Sequence, residues 1–261
     1  MLELQKFYLL CIVLAFASLV IYVYGYFNRE FIVTASNIIF PVYALIPALS
    51  AYTAMKNYGL KSIIGYSMFT FFLGLLFWFL GEVAWAIYVL VYGVEVPFPS
   101  AADIFYVLGY PPLYLGLISY LNVFKDAFNR RVISISFTAG LIVVIVTSLL
   151  VIPEALMSSN NLIEAVLAII YPIFDSVLII LAIMGAVIFF GGRIWISWML
   201  ISISFILLGI VEISYYYLEL LGLIWEGHPL ELIWLWVYLY LAMALYSHAK
   251  QISKYNQKIE S

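Results

Sequence analysis

Gly81-Glu82-Val83-Ala84-Trp85-Ala86-Ile87-Tyr88 closes one long apolar run, and Pro97-Phe98-Pro99-Ser100-Ala101-Ala102-Asp103-Ile104-Phe105-Tyr106-Val107-Leu108-Gly109-Tyr110-Pro111-Pro112 opens the next. The run that holds Glu82 extends over residues 62–92, well beyond the roughly 20 apolar residues that cross a bilayer. At 1.5 Å per residue it spans about 45 Å, enough to tilt or protrude. Glu82 therefore sits inside hydrocarbon. The proline-rich turn ends it, and the following helix starts on an acid and carries tyrosines on one face.

Runs of the same kind recur outward from this stretch. Hydrophobic residues make up 67% of the 261 and charged residues 10%, against about 25% charged in soluble domains. Mean hydropathy is +1.13. The runs do not alternate polar and apolar residues, which sets a β-barrel aside. The pattern predicts an all-α membrane protein with eight transmembrane helices, at about 6–27, 36–55, 62–92, 102–123, 132–152, 162–190, 194–221 and 229–248. The membrane domain is then 1–249 and a short cytoplasmic tail is 250–261. The first run is too long for a signal-peptide core and lacks an A-x-A site, so it reads as a helix of the mature protein.

Basic residues set the orientation. Lys6, Lys56, Lys61, Lys125, Arg130, Arg131, Arg193, Lys250, Lys254 and Lys258 fall on one side, while the other side holds Arg29 with Glu30, Glu95, Glu154 and Glu226. Lys and Arg are retained on the cytoplasmic face, so both termini are expected inside and the chain is expected to be a multi-pass cell-membrane protein.

Several chemistries are excluded or unmarked. Cys11 is the single cysteine, so neither an intramolecular disulfide nor a CxxC site forms. His228 and His248 are a full span apart and cannot share a haem iron. The spans contain no lysine for a retinal Schiff base. No P-loop, GxGxxG or kinase signature occurs, and the loops are too short for a catalytic domain. No enzyme activity, cofactor, metal or nucleic-acid partner is expected.

A shift of 128 residues lays Tyr43 on Tyr171, Phe77 on Phe205, Gly81 on Gly209, Tyr88 on Tyr216, Asp103 on Glu231 and Tyr110 on Tyr238. This reads as a parallel 4+4 internal duplication, with repeats at about 1–124 and 129–250. Composition shared by all membrane helices accounts for some of these matches.

Carboxylates inside a span cost roughly 2.5–3.5 kcal/mol on insertion scales and so face a polar interior. Glu82, Asp175 and Glu212 lie within spans; Asp103, Glu164, Glu219 and Glu231 lie near the outer ends. Helical spacing gives them aromatic neighbours: Asp103 with Tyr106 and Tyr110, Glu231 with Trp234 and Tyr238, Glu82 with Trp85, Glu212 with Tyr216, and Tyr171 with Asp175. Acids and aromatic groups would converge on a cavity that opens outward, suited to a cation, an amine, a polar lipid head or protons. Plainer roles fit the same residues. Asp103 and Glu231 begin helices, where an acid complements the dipole. Glu82, Asp175 and Glu212 suit hydrogen bonding between helices, and the aromatic faces suit packing and interface belts.

The segment Gly81–Trp85 with Pro97–Pro111 resembles the polytopic N-terminal sensor region of certain bacterial and archaeal signalling proteins. In those proteins a P-P-S-x-A-D-x-x-Y-L-x-x-Y-P-like turn links two membrane helices ahead of a histidine kinase or diguanylate cyclase. Tyr171-Pro172-x-x-Asp175 is similar to the same module. The resemblance implies a sensor. Because no transmitter domain follows the eighth span in the 261 residues, it also implies relay to a separate cytoplasmic partner.

The expectation is thus a stand-alone, receptor-like membrane sensor in the lipid bilayer, taking a small ligand from the outer face and relaying to a cytoplasmic partner or a second copy of itself. A small transporter or cation/proton pathway is the alternative, and a structural subunit of a membrane complex the third.

Overall fold

In hydrocarbon no water is present to satisfy a backbone N–H or C=O, so a spanning segment must close its hydrogen bonds on itself. The computed structural model describes residues 2–150, 153, 162–192 and 194–260. Among these are eight long helices: α1 (Leu2–Tyr26), α2 (Arg29–Tyr58), α3 (Ile63–Ile87), α4 (Ala101–Asn122), α5 (Arg130–Leu150), α6 (Leu162–Phe189), α7 (Trp195–Leu220) and α8 (Glu231–Glu260). No strand occurs among the described residues. Seven of the eight are long and apolar enough to cross a bilayer, and α5 is the remaining long helix. The architecture is that of a multi-pass membrane protein. The expected end of the fifth span at Ile152, together with Glu154 and Arg193, lies outside the described residues, as do the side chains of Tyr216, Lys254 and Lys258.

Helix ends depart from the expected bounds where capping decides them. Helix α2 begins at Arg29 rather than near 36, because the Asn28 side chain accepts the Phe31 N–H at 3.2 Å. The third run divides into α3 and a π-helical turn at Tyr88–Tyr92, closed by Gly93 at φ +63°. Ser62 caps α3 by accepting the Gly65 N–H at 2.9 Å. Helix α8 carries on through residues 250–260, which were expected as a separate tail. No glycine or proline interrupts Glu231–Glu260, so nothing stops the helix at the membrane boundary.

Six helices close a ring in the order α2, α3, α4, α6, α7, α8 and back to α2. The other two stand outside it: α1 packs against both α2 and α8, and α5 against α6 and, more lightly, α7. Small residues set the tight crossings. Ala44, Ala48, Ala51 and Ala54 are fully buried along one face of α2, which lets α3 and α8 approach it. Gly74 and Gly109 face each other where α3 crosses α4. A Cβ on Gly109 would lie 2.4 Å from Trp78 Cδ1 and 3.0 Å from the Gly74 carbonyl oxygen. Gly81 makes room for the ring of Tyr106, 2.5 Å from where its own Cβ would be. Serine hydroxyls stitch the same crossings, Ser67 donating to the Gly116 carbonyl and Ser202 to the Ala182 carbonyl, both at 2.6 Å.

One end of the ring, next to the α4–α5 and α6–α7 turns, is filled with aromatic rings. Phe189 stacks on Trp198 at 5.0 Å between centroids, and Tyr120, Phe124 and His248 complete the plug. The opposite end remains hollow.

Gly109→Val is expected to lower stability by about 1–3 kcal/mol, the usual cost of forcing atoms into a full interior. Thermal unfolding in detergent checks it, and an unchanged melting temperature would show that α3 and α4 do not cross at these glycines.

Candidate functional site

The hollow end encloses a cavity of about 520 Å³, within the range of roughly 300–1,000 Å³ typical of small-molecule sites. All six ring helices contribute to its wall, and Val96, Pro97 and Phe98 of the proline-rich turn and Glu226 of the α7–α8 loop form its rim. Its chemistry is uniform. Eight carboxyl side chains line it, Glu164 and Glu219 among them, and the other six each accept a hydrogen bond from a tyrosine or tryptophan.

Asp103 shows how local and long-range forces share one group. Its Oδ2 accepts the Ser100 N–H at 2.7 Å, while the Ser100 hydroxyl accepts the Ala102 N–H at 3.2 Å, so the two residues cap α4. Its Oδ1 accepts the Tyr171 hydroxyl of α6 at 2.8 Å. Capping and cavity roles therefore coexist in one residue. Two turns further along α4, Tyr110 donates to Asp175 Oδ1 at 2.7 Å, and one turn beyond that Tyr114 donates to the Phe174 carbonyl at 2.8 Å. The α4–α6 seam is laced by phenols.

Across the cavity, Tyr238 of α8 donates to Glu82 Oε1 at 2.7 Å. The Trp234 indole N–H donates to Glu212 Oε1 at 3.1 Å. At the rim, Glu226 Oε1 accepts both the Asn37 amide at 2.8 Å and the Trp85 indole N–H at 3.1 Å. Glu231 Oε1 accepts the Gly227 N–H at 2.8 Å, and its Oε2 accepts the Tyr22 hydroxyl at 2.7 Å. Apart from Trp234–Glu212 and the local Ser100–Asp103 and Gly227–Glu231 bonds, all of these join a helix of α1–α4 to an element of the second half of the chain.

The structure thus brings Glu82, Trp85, Asp103, Tyr106, Tyr110, Asp175, Glu212, Glu231, Trp234 and Tyr238 to one cavity wall, while the side chain of Tyr216 lies outside the described ones. Sequence spacing missed Asn37, Tyr215, Glu226 and the donor Tyr22. Asn37 had a usable signal, an amide within an apolar run. Glu226 sits in a loop and Tyr22 on a helix outside the ring, so no periodicity marked them. The 128-residue shift matched Tyr43 to Tyr171, yet their partners differ. Tyr43 donates to the Leu14 carbonyl at 2.7 Å, and Tyr22 serves Glu231 instead.

No lysine or arginine lines the cavity among the described residues. Arg29 lies beyond the rim, its guanidinium 3.7 Å above the Trp225 ring. His228, packed on the same Trp225, is held below the ordinary histidine range by burial first and by Arg29 second. Phenol and indole donors satisfy a carboxyl group without a counter-charge, so the site offers acceptor oxygens and aromatic faces.

No family model, curated protein or solved structure matches the chain.

The Tyr110–Asp175 bond should register as a coupling in a double-mutant cycle. Tyr110→Phe and Asp175→Asn are each expected to destabilise, with about 0.5–2 kcal/mol less than additive loss in the double variant. Unfolding in a detergent series measures it, and strict additivity would rule the bond out.

Proposed function

We propose that this chain is a multi-pass cell-membrane sensor module, receptor-like and non-enzymatic, that takes a small ligand from the outer face and relays its presence to a cytoplasmic signalling partner. One observation carries the reading. The carboxylates available to a ligand are the same groups that tie the first four helices to the last four, through Tyr110–Asp175, Tyr171–Asp103 and Tyr238–Glu82. A ligand that engages one of these acids competes with a bond between halves. Its binding free energy is thereby linked to helix arrangement, which is what a receptor requires.

The aromatic plug beneath the cavity supports a binding site over an open conduit. The resemblance of residues 81–111 to prokaryotic sensor modules points the same way. Orientation rests on the basic residues, most of them clustered at the plugged end.

A small transporter is the second reading, favoured by a specific arrangement. Each half of the chain gives three helices to the ring and one outside it, as an internal duplication would. Prolines sit inside α2, α4 and α6, each a continuous helix, and Pro172 lines the cavity. Internal repeats and proline-containing spans at the binding site are common in transporters.

Orientation is tested by cysteine labelling, since buried Cys11 leaves the background silent. Val94→Cys is expected to react with a membrane-impermeant maleimide in intact cells and Lys125→Cys only after lysis; the reverse pattern would sink an outward-facing cavity. For relay, spin labels at positions 125 and 190, at the plugged ends of α4 and α6, should show a changed distance distribution when Asp175→Asn or Glu82→Gln is introduced. Unchanged distances, with solute uptake into proteoliposomes that Glu82→Gln abolishes, would select the transporter.

A further inference from the structure

We infer that the occupant of the cavity is a linear organic polycation, a flexible alkyl chain bearing two or more protonated amines. This rests on the reading of the cavity as a ligand site and names the chemistry that site recognises.

The acids are spread around the wall: Glu82 on α3, Asp103 on α4, Asp175 on α6, Glu212 on α7 and Glu231 on α8, with Glu226 at the rim. Among the described residues, no three acids, histidines or cysteines converge as metal ligands do. A single metal ion would therefore serve few of these acids, whereas a chain with spaced charges reaches several of them.

Charge balance points to the same class. The donors already present are neutral phenols, indoles, an amide and backbone N–H groups. Carboxyl groups gathered in a low-dielectric chamber interact strongly with a cation brought among them, and the described lining supplies none. Free acceptors await it. Asp175 lines the cavity and is 2% exposed, yet only its Oδ1 has a donor among the described residues. Glu212 likewise uses Oε1 for Trp234 and leaves Oε2 without a donor among the described residues.

The walls suit the rest of such a molecule. Trp85 and Trp234 are pinned by their N–H groups to Glu226 and Glu212, so each acid comes with a fixed aromatic surface beside it. Rings at that position attract an ammonium and cover the methylenes between charges. A volume of about 520 Å³ holds an extended triamine, whereas a lone inorganic ion would leave most of it unfilled.

The full-length protein in nanodiscs of zwitterionic lipid, titrated calorimetrically at fixed ionic strength, tests the inference. The probes are spermidine, propylamine and fully N-acetylated spermidine, which is uncharged. Spermidine is expected to bind, propylamine to bind at least about tenfold more weakly, and the acetylated compound not at all. Glu212→Gln and, as a second variant, Asp175→Asn should each weaken spermidine by about tenfold or more, the effect of losing one charge-assisted contact. Thermal melts establish that the variants remain folded. Failure of spermidine to bind overturns the inference, as does equal binding to both folded variants, which would mark attachment to surface acids. Binding of the acetylated compound in its place removes the polycation but keeps the cavity as a ligand site. An inward-facing result from cysteine labelling would instead overturn the sensor reading and leave the amine titration standing.

Discussion

A carboxylate buried in an apolar bundle needs a hydrogen-bond donor, and in this protein the donor is nearly always an aromatic side chain. The rest of the structure depends on that pairing. A lysine or arginine would have neutralised the acid and sealed the interior with a salt bridge. A phenol or indole holds the same oxygen at 2.7–3.1 Å and brings no counter-charge with it. The bundle is thereby held together by bonds that leave carboxyl oxygens on the cavity wall.

The backbone supplies the geometry for these pairings through very small residues. Gly74 against Gly109 and the alanine face of α2 bring α2, α3 and α4 into close contact. On this slab Glu82, Asp103 and Tyr110 are fixed relative to one another. The slab meets α6 through a sparser seam, where Tyr110, Tyr114 and Tyr171 do much of the joining. Dense apolar packing thus sets position within this slab, and directional polar bonds do much of that work at the α4–α6 seam.

Much of this was legible in the sequence because its signals were local. Apolar runs marked the spans. An acid followed by aromatics at helical spacing put Asp103, Tyr106 and Tyr110 on one face, and the same logic found Glu231 with Trp234 and Tyr238. What stayed hidden was the identity of each partner. Spacing places Tyr238 beside Glu231, but its hydroxyl goes to Glu82 on α3. Glu231 turns instead to Tyr22, whose ring reaches in from outside the ring of six. Partner choice is a property of how helices cross, and a single chain with no contacts given carries little of that information. The early start of α2 was missed for a different reason: polar residues at 28–30 read as loop, although Asn28 is the cap that begins the helix.

The placement of α1 gives the two seams unequal mechanical strength. Helix α1 lies across α2 and α8, and so straddles the place where the ends of the ring meet. Helix α5 packs on α6 and α7 and braces only its own half. Separating α2 from α8 means peeling away a third helix, with Tyr22 anchored to Glu231. Separating α4 from α6 means breaking a few phenol bonds over a thinner contact. The ring is therefore a clamshell with a bound spine and a free lip. The lip is bridged by one line of tyrosines, Tyr110, Tyr114 and Tyr171, so a force from inside the chamber would part the ring there first.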